Sequence, residues 1–135
     1  MTIAYRSIQP ADYEAVRQFL SGLGWDRRVR DPQRFAKMME RADRTVLALE
    51  DGRVVGFARA LCDGVSNGYI SMLAVAENRR EQGIGREIVK RLTAEDEDGS
   101  VTWVLRAGHG SRGFWEKMGF AASEIAMERM RRNTP

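Results

Sequence analysis

The chain has 135 residues, 43% of them hydrophobic and 30% charged, with a formal net charge of +3. That length and balance suit one ordinary globular domain with a true hydrophobic core. One cysteine, Cys62, excludes an intramolecular disulfide and a multi-cysteine metal cluster, and one histidine, His109, leaves a poor donor set for zinc.

In chain order, "TIAYRSI" alternates apolar and polar residues and predicts a strand that ends at Pro10. "ADYEAVRQFLSGLG" follows with Tyr13, Val16, Phe19, Leu20 and Leu23 at helical spacing. Asp31-Pro32 reads as an N-cap with proline at the first helical position, and Phe35, Met38 and Met39 supply that helix's apolar face. "TVLALE" and "RVVGFARALC" flank Asp51-Gly52 as a hairpin. A second pair, Asp63-Gly64, precedes the strand-like "NGYISMLAV". Ile84, Ile88, Val89 and Leu92 mark a helix buried on one side, which "EDEDG" ends in a solvated acidic turn. "VTWVL" is a strand, "SRGFWEKMG" a short helix closed by Gly119, and "FAASEIAMERM" a last strand. This order predicts a mixed α/β (α+β) domain around one sheet. The helix after "NGYISMLAV" can cross over to a parallel "VTWVL".

No apolar run is long enough to span a bilayer. The opening "MTIAYRSIQPADYEAV" has no apolar signal core, so a cytoplasmic chain with no membrane partner is expected. Arginines are scattered among acids outside the short clusters at Arg27–Arg30, Arg79–Arg80 and Arg129–Arg132. No basic, aromatic-studded groove for nucleic acid is therefore expected.

The segment "RREQGIGREIVKRL", residues 79–92, carries the most chemistry. A strand leads into it and a helix leaves it. The first N–H groups of a helix have no intrahelical partners, and the helix dipole favours negative charge there. Gly83 and Gly85 keep the chain bare enough for a ligand to reach the backbone, and Arg80 adds positive charge. That combination suits a phosphate or pyrophosphate. A P-loop needs lysine and then serine or threonine after its last glycine, but Arg86 and Glu87 follow Gly85. A dinucleotide fingerprint needs three spaced glycines, and only two are present.

Arg80-x-x-Gly83-x-Gly85 resembles the Q/R-x-x-G-x-G/A signature of the GNAT superfamily of acyl-CoA-dependent N-acyltransferases. Its flanks resemble the family too: "ISMLAV" its fourth strand, "REIVKRL" its third helix, "RVVGFARAL" its third strand, and "GFWEKMGF" its "xFYEKxGF" element. The resemblance covers nearly the whole chain, residues 1–135, as one domain. It implies a mostly antiparallel mixed sheet flanked by helices, with a V-shaped splay between the fourth and fifth strands. It also implies acetyl-CoA as acyl donor, no metal, and a small-molecule or peptide amine as acceptor. Homodimers through C-terminal strands are common in the family.

By position, the resemblance assigns the pantetheine contacts to the main chain of Leu73, Ala74 and Val75. The pyrophosphate falls to the loop Arg80, Glu81, Gln82, Gly83, Ile84, Gly85 and Arg86, and the thioester carbonyl to the N–H of Leu73. Ser111, Phe114 and Trp115 complete the cofactor side. Two departures stand out. The usual carboxylate base falls at Tyr69, a poor base at neutral pH with a reference pKa of about 10. Tyr69, Ser71 and ordered water are left to relay the proton. The usual tyrosine acid is Trp115, whose indole only donates a hydrogen bond. A thiolate, with a pKa near 8.5, leaves without full protonation, and water or Ser111 can finish the transfer. His109 can act as a base, although a surface loop role fits it as well. Trp25 and Asp26 are candidates to line the acceptor pocket. A CoA-binding sensing or regulatory module without turnover is the alternative from another functional class.

Overall fold

The computed structural model describes residues 2–94 and 98–132. Its contacts divide the chain into two compact units, Met1–Leu105 and Arg106–Pro135.

The first unit is built on a five-stranded sheet in the order β1-β2-β3-β4-β5. β1 is Ala4–Arg6, β2 Arg44–Glu50, β3 Arg53–Cys62, β4 Asn67–Val75 and β5 Thr102–Leu105. The first four pair antiparallel, and β4 pairs parallel with β5. The β2–β3 hairpin turns at Asp51 and Gly52, with φ of 50° and 77°. Two successive left-handed residues make the turn whose twist matches a hairpin, as the Asp-Gly pair predicts.

Helices cover both faces of the sheet. α1 (Tyr13–Leu20), α2 (Asp26–Val29) and α3 (Pro32–Glu40) lie on one. Their buried Val16, Leu20, Val29, Phe35 and Met39 form one core with Leu47, Phe57, Met72 and Ala74 of the sheet. α3 starts as its sequence dictates: Asp31 accepts from the N–H groups of Gln33 at 2.9 Å and Arg34 at 3.3 Å, with Pro32 at the first position. Between α1 and α2 the chain widens into a π-type turn, Ser21–Trp25, kinked at Gly24 with φ 95°.

α4 (Ile84–Leu92) covers the opposite face. Gly56 permits this. A Cβ there would stand 2.7 Å from Cδ1 of Ile88 and 3.2 Å from Cγ2 of Ile84, so a larger residue would make these side chains shift. Among the described residues, no helix is long and apolar enough to cross a membrane.

The crossover through α4 to a parallel β5 is present as expected. The predicted acidic turn lies partly outside the described residues, at 95–97. At its end the Asp98 carboxylate accepts from the Ser100 N–H at 3.0 Å.

The second unit holds α5 (Arg112–Lys117), which ends before Gly119 at φ 94°. The last strand predicted at "FAASEIAMERM" does not form. The segment alternates apolar residues, but a strand also needs a partner for its main-chain groups. Instead the Ser123 hydroxyl accepts from the N–H groups of Ile125 (3.1 Å) and Ala126 (2.9 Å), which bends the chain. Ile125 and Met127 are left 91% and 96% exposed.

Candidate active site

The first unit opens its sheet at one place. β4 pairs with β5 only from Asn67↔Thr102 to Ile70↔Leu105. Residues 71–75 continue along β3 alone. In this stretch the β3–β4 register shifts between Phe57↔Ala74 and Arg59↔Ser71, so β4 carries one extra residue. Met72 absorbs it at φ 63°, a left-handed conformation rare for a long side chain. The bulge keeps Met72 and Ala74 both in the α1–α3 core and re-aims the main chain at Leu73. Leu73 and Val75 are half-buried, so their side chains pack. The parallel pairing followed by this departure is the V-shaped splay expected between the fourth and fifth strands.

Past Val75 the chain enters the glycine loop. The N–H of Ala76 donates to the carbonyl of Val55 (2.8 Å), and a 3-10 turn spans Glu77–Arg79. Arg79 forks onto Glu50 with Nε at 2.8 Å and its terminal nitrogen at 2.7 Å, which anchors the loop to the end of β2. Arg80 folds back, its Nε donating to the carbonyl of Val75 at 3.3 Å. Glu81 and Gly83 take left-handed φ of 62° and 85°.

Gly83 is the N-cap of α4. No side chain caps it, and the first helical bond runs from the Glu87 N–H to its carbonyl (3.0 Å). The N–H groups at this helix start therefore have no intrahelical acceptors. Nothing lies within 4 Å of a Cβ built on Gly83, so the space beside it is open. Arg80, Glu81, Gln82, Gly83 and Arg86 are exposed, Gly85 is half-buried and Ile84 is core. The residues present thus fit a diphosphate: bare N–H donors, a helix dipole and two arginines.

Tyr69 and Ser71 stand on β4 opposite Leu61 and Arg59 of β3. Directly paired residues share a face, and Arg59 is two residues from Phe57, so all lie on the α1–α3 side. Ser71 is buried and Tyr69 half-buried. No residue of "NGYISMLAV" is a carboxylate.

Sequence reasoning missed Arg59. Its Nε is buried and has no hydrogen-bond partner among the described residues. Burial, and after it the Arg28 charge, pulls the guanidinium below its ordinary pKa, while Tyr69 acts in the opposite direction. The available signal was one arginine inside an otherwise apolar strand. Asp26, considered for the acceptor pocket, accepts from the Ser21 hydroxyl at 2.7 Å and lies 3.7 Å from Arg30. Trp25 packs partly against the core of this unit.

Ser111, Phe114 and Trp115 are brought together in the second unit. The Ser111 hydroxyl donates to the carbonyl of Gly108 at 2.7 Å, and Ser111 precedes α5. Trp115 is buried and meets Phe114 and Phe120 edge-on, at centroid distances of 5.0 and 5.3 Å. His109 is exposed.

A family profile described as "Acetyltransferase (GNAT) domain" matches residues 11–131. The chain is similar to serotonin N-acetyltransferase 2, chloroplastic, of Oryza sativa subsp. japonica: 31% identical over 132 residues, covering 93% of this chain. It spans 64% of that relative's length. Among solved structures, a GNAT family acetyltransferase from Streptococcus pneumoniae superposes with a TM-score of 0.77 at 22% identity, covering 98% of this chain and all of that one. AAC(6')-Iy, solved with the bisubstrate analog CoA-S-monomethyl-acetylneamine, gives 0.74 at 16% identity, covering 98% of this chain and 99% of its own. These structural likenesses concern the fold.

Proposed function

The chain belongs to the GNAT acetyltransferase family, and from that membership we propose that it transfers an acetyl group from acetyl-CoA to a primary amine by direct attack. One observation carries the reading: β4 parts from β5 after Ile70 and runs into a left-handed glycine loop that caps α4. On this reading both units, residues 1–135, act as one GNAT-like domain.

The loop from Arg80 to Arg86 holds the diphosphate through the N–H groups at the start of α4. The main chain of Leu73, Ala74 and Val75, beyond the reach of β5, pairs with the pantetheine arm. Bound there, acetyl-CoA supplies the thioester that the amine attacks. The N–H of Leu73 donates to the thioester carbonyl oxygen and stabilises the charge that builds on it. Positioning supplies much of the rate, since a held amine reacts as if at very high concentration.

The amine must shed a proton to have a free lone pair. Tyr69 and the buried Ser71 hydroxyl relay it toward water. The family resemblance assigns Trp115, with Phe114 and Ser111, to the donor side; Trp115 transfers no proton, because an indole N–H only donates a hydrogen bond. The thiol therefore leaves as a thiolate that takes its proton from solvent. A cytoplasmic location and a homodimer belong to the same proposal.

A CoA-binding module without turnover is the second reading. It is favoured by Tyr69 standing where a carboxylate is usual and Trp115 where a tyrosine is usual. Two measurements separate the readings. Acetyl-CoA should raise the melting temperature, since it binds only the folded chain, and free thiol should appear with an amine panel. No shift at millimolar acetyl-CoA overturns both readings. A shift with no thiol release from any amine leaves the sensing module.

A further inference from the structure

Arg59 is an unusual tenant of its strand. Its neighbours Ala58 and Ala60 are fully buried, and Phe57, two residues earlier on the same face, is in the core. Its Nε is buried without an acceptor among the described residues. Arg59 as a whole is half-buried, but a guanidinium nitrogen taken out of water normally has an acceptor, because an unsatisfied buried donor costs stability. Here the charged group nearest in influence is Arg28 of α2, another cation. Ser71 lies directly across on β4, and no residue of that strand is a carboxylate. On the α1–α3 side of the splayed strand, the Nε of Arg59 is thus a donor without an acceptor among the described residues.

A guanidinium offers parallel N–H donors that match the two oxygens of a carboxylate or phosphate. Arg59 shares its sheet face with Tyr69 and Ser71, where the acceptor amine loses its proton on the reading above. Resting on that reading, we propose that Arg59 is the acceptor-selecting residue: it binds the anionic group of an amine that carries a carboxylate or a phosphate. Arg28 adds long-range attraction for the same group. On this proposal the charge preferred in the acceptor is set by Arg59 rather than by Asp26.

The test uses matched acceptors: O-phosphoethanolamine against ethanolamine, and β-alanine against propylamine, with the wild type, Arg59→Gln and Arg59→Lys. The wild type should prefer the anionic member of at least one pair by about tenfold or more in kcat/KM, and the preferred pair tells phosphate from carboxylate. In Arg59→Gln the preference should fall to about 1, mainly through KM, while the melting shift with acetyl-CoA is retained. Arg59→Lys keeps the charge without the fork and should fall between. Without ligand, Arg59→Gln should melt at or above the wild-type temperature, because it removes a half-buried guanidinium whose Nε has no acceptor among the described residues.

A wild type indifferent to acceptor charge, or a preference that survives Arg59→Gln, overturns the proposal. A second measurement needs no turnover: O-phosphoethanolamine and β-alanine are titrated against the CoA-bound protein and melting is followed. A saturable shift lost in Arg59→Gln supports the anion site even if the transferase reading fails. No shift with either compound, in a protein that releases no thiol, overturns it.

Discussion

The strand β4 and the segment "FAASEIAMERM" read alike as sequences and end differently. Both place apolar residues at alternate positions. In β4 that pattern meets β3 along its length, and Ile70, Met72 and Ala74 are buried. In the second segment Ile125 and Met127 face solvent, and a serine bends the backbone. Alternation states which side chains can be buried; only a neighbour decides whether they are.

The largest effect that sharpens this contrast is at Phe57, fully buried in the α1–α3 core. Phe57→Ala should cost about 3–5 kcal/mol in denaturant unfolding. A loss under 1 kcal/mol would mean that β3 is no better packed than the tail.

Next comes Gly83→Asp, which puts a negative charge on an open left-handed cap. CoA should bind about 100-fold more weakly by calorimetry, since like charge now meets the diphosphate. Unchanged affinity in a folded variant would reduce the glycine to a turn former.

Trp115 is the buried anchor of the unit that carries the exposed tail. Trp115→Tyr should change turnover by about tenfold or less, below the hundredfold or more of a positioned acid. Trp115→Phe should keep most activity. Its collapse with CoA binding intact would show that the indole N–H matters to the chemistry.

A pH effect tests how β4 begins. The Asp63 carboxylate accepts from the N–H groups of Val65, Ser66 and Asn67 and from the Ser66 hydroxyl, which hold it well below the usual aspartate range. A depressed folded pKa contributes stability above the unfolded value of about 3.9, and that contribution is lost as pH falls below it. Asp63→Ala should therefore melt lower than wild type at neutral pH, with the gap closing in acid. A gap that stays constant down to pH 2 would assign the loss to the turn and not to the charge.

The smallest effect belongs to the tail. Ile125→Ser should change stability by less than about 0.5 kcal/mol. A larger loss, growing with protein concentration, would show that a second copy covers this segment.

Much of the first unit was legible because its signals are local. Asp31-Pro32 caps its own helix, Asp51-Gly52 makes its own turn, and Gly83 announces the start of α4 within a few residues. What escaped depends on partners far along the chain. The left-handed Met72 follows from how β4 meets β3, and no methionine signals it alone. Arg59 reads like any surface arginine in the sequence, and only the register sets it opposite Ser71. The tail was misread for the same reason in reverse, since its apolar residues were counted without a strand to receive them. The strand and helix that flank the loop at 80–86 form where the resemblance implies them, as β4 and α4.

The parallel pairing of β4 with β5 also bears on the order of folding. The β2–β3 and β3–β4 connections are short turns, so three strands can zip together from local contacts. β5 reaches β4 only after α4 has closed a long loop, and it is rewarded with four residue pairs. Non-local pairings of this kind form slowly, because loop closure precedes any gain. The strand that bounds the proposed cofactor cleft is thus the one expected to join last. Amide exchange should find it protected less than β3, with opening that widens the cleft while the α1–α3 core stays shut.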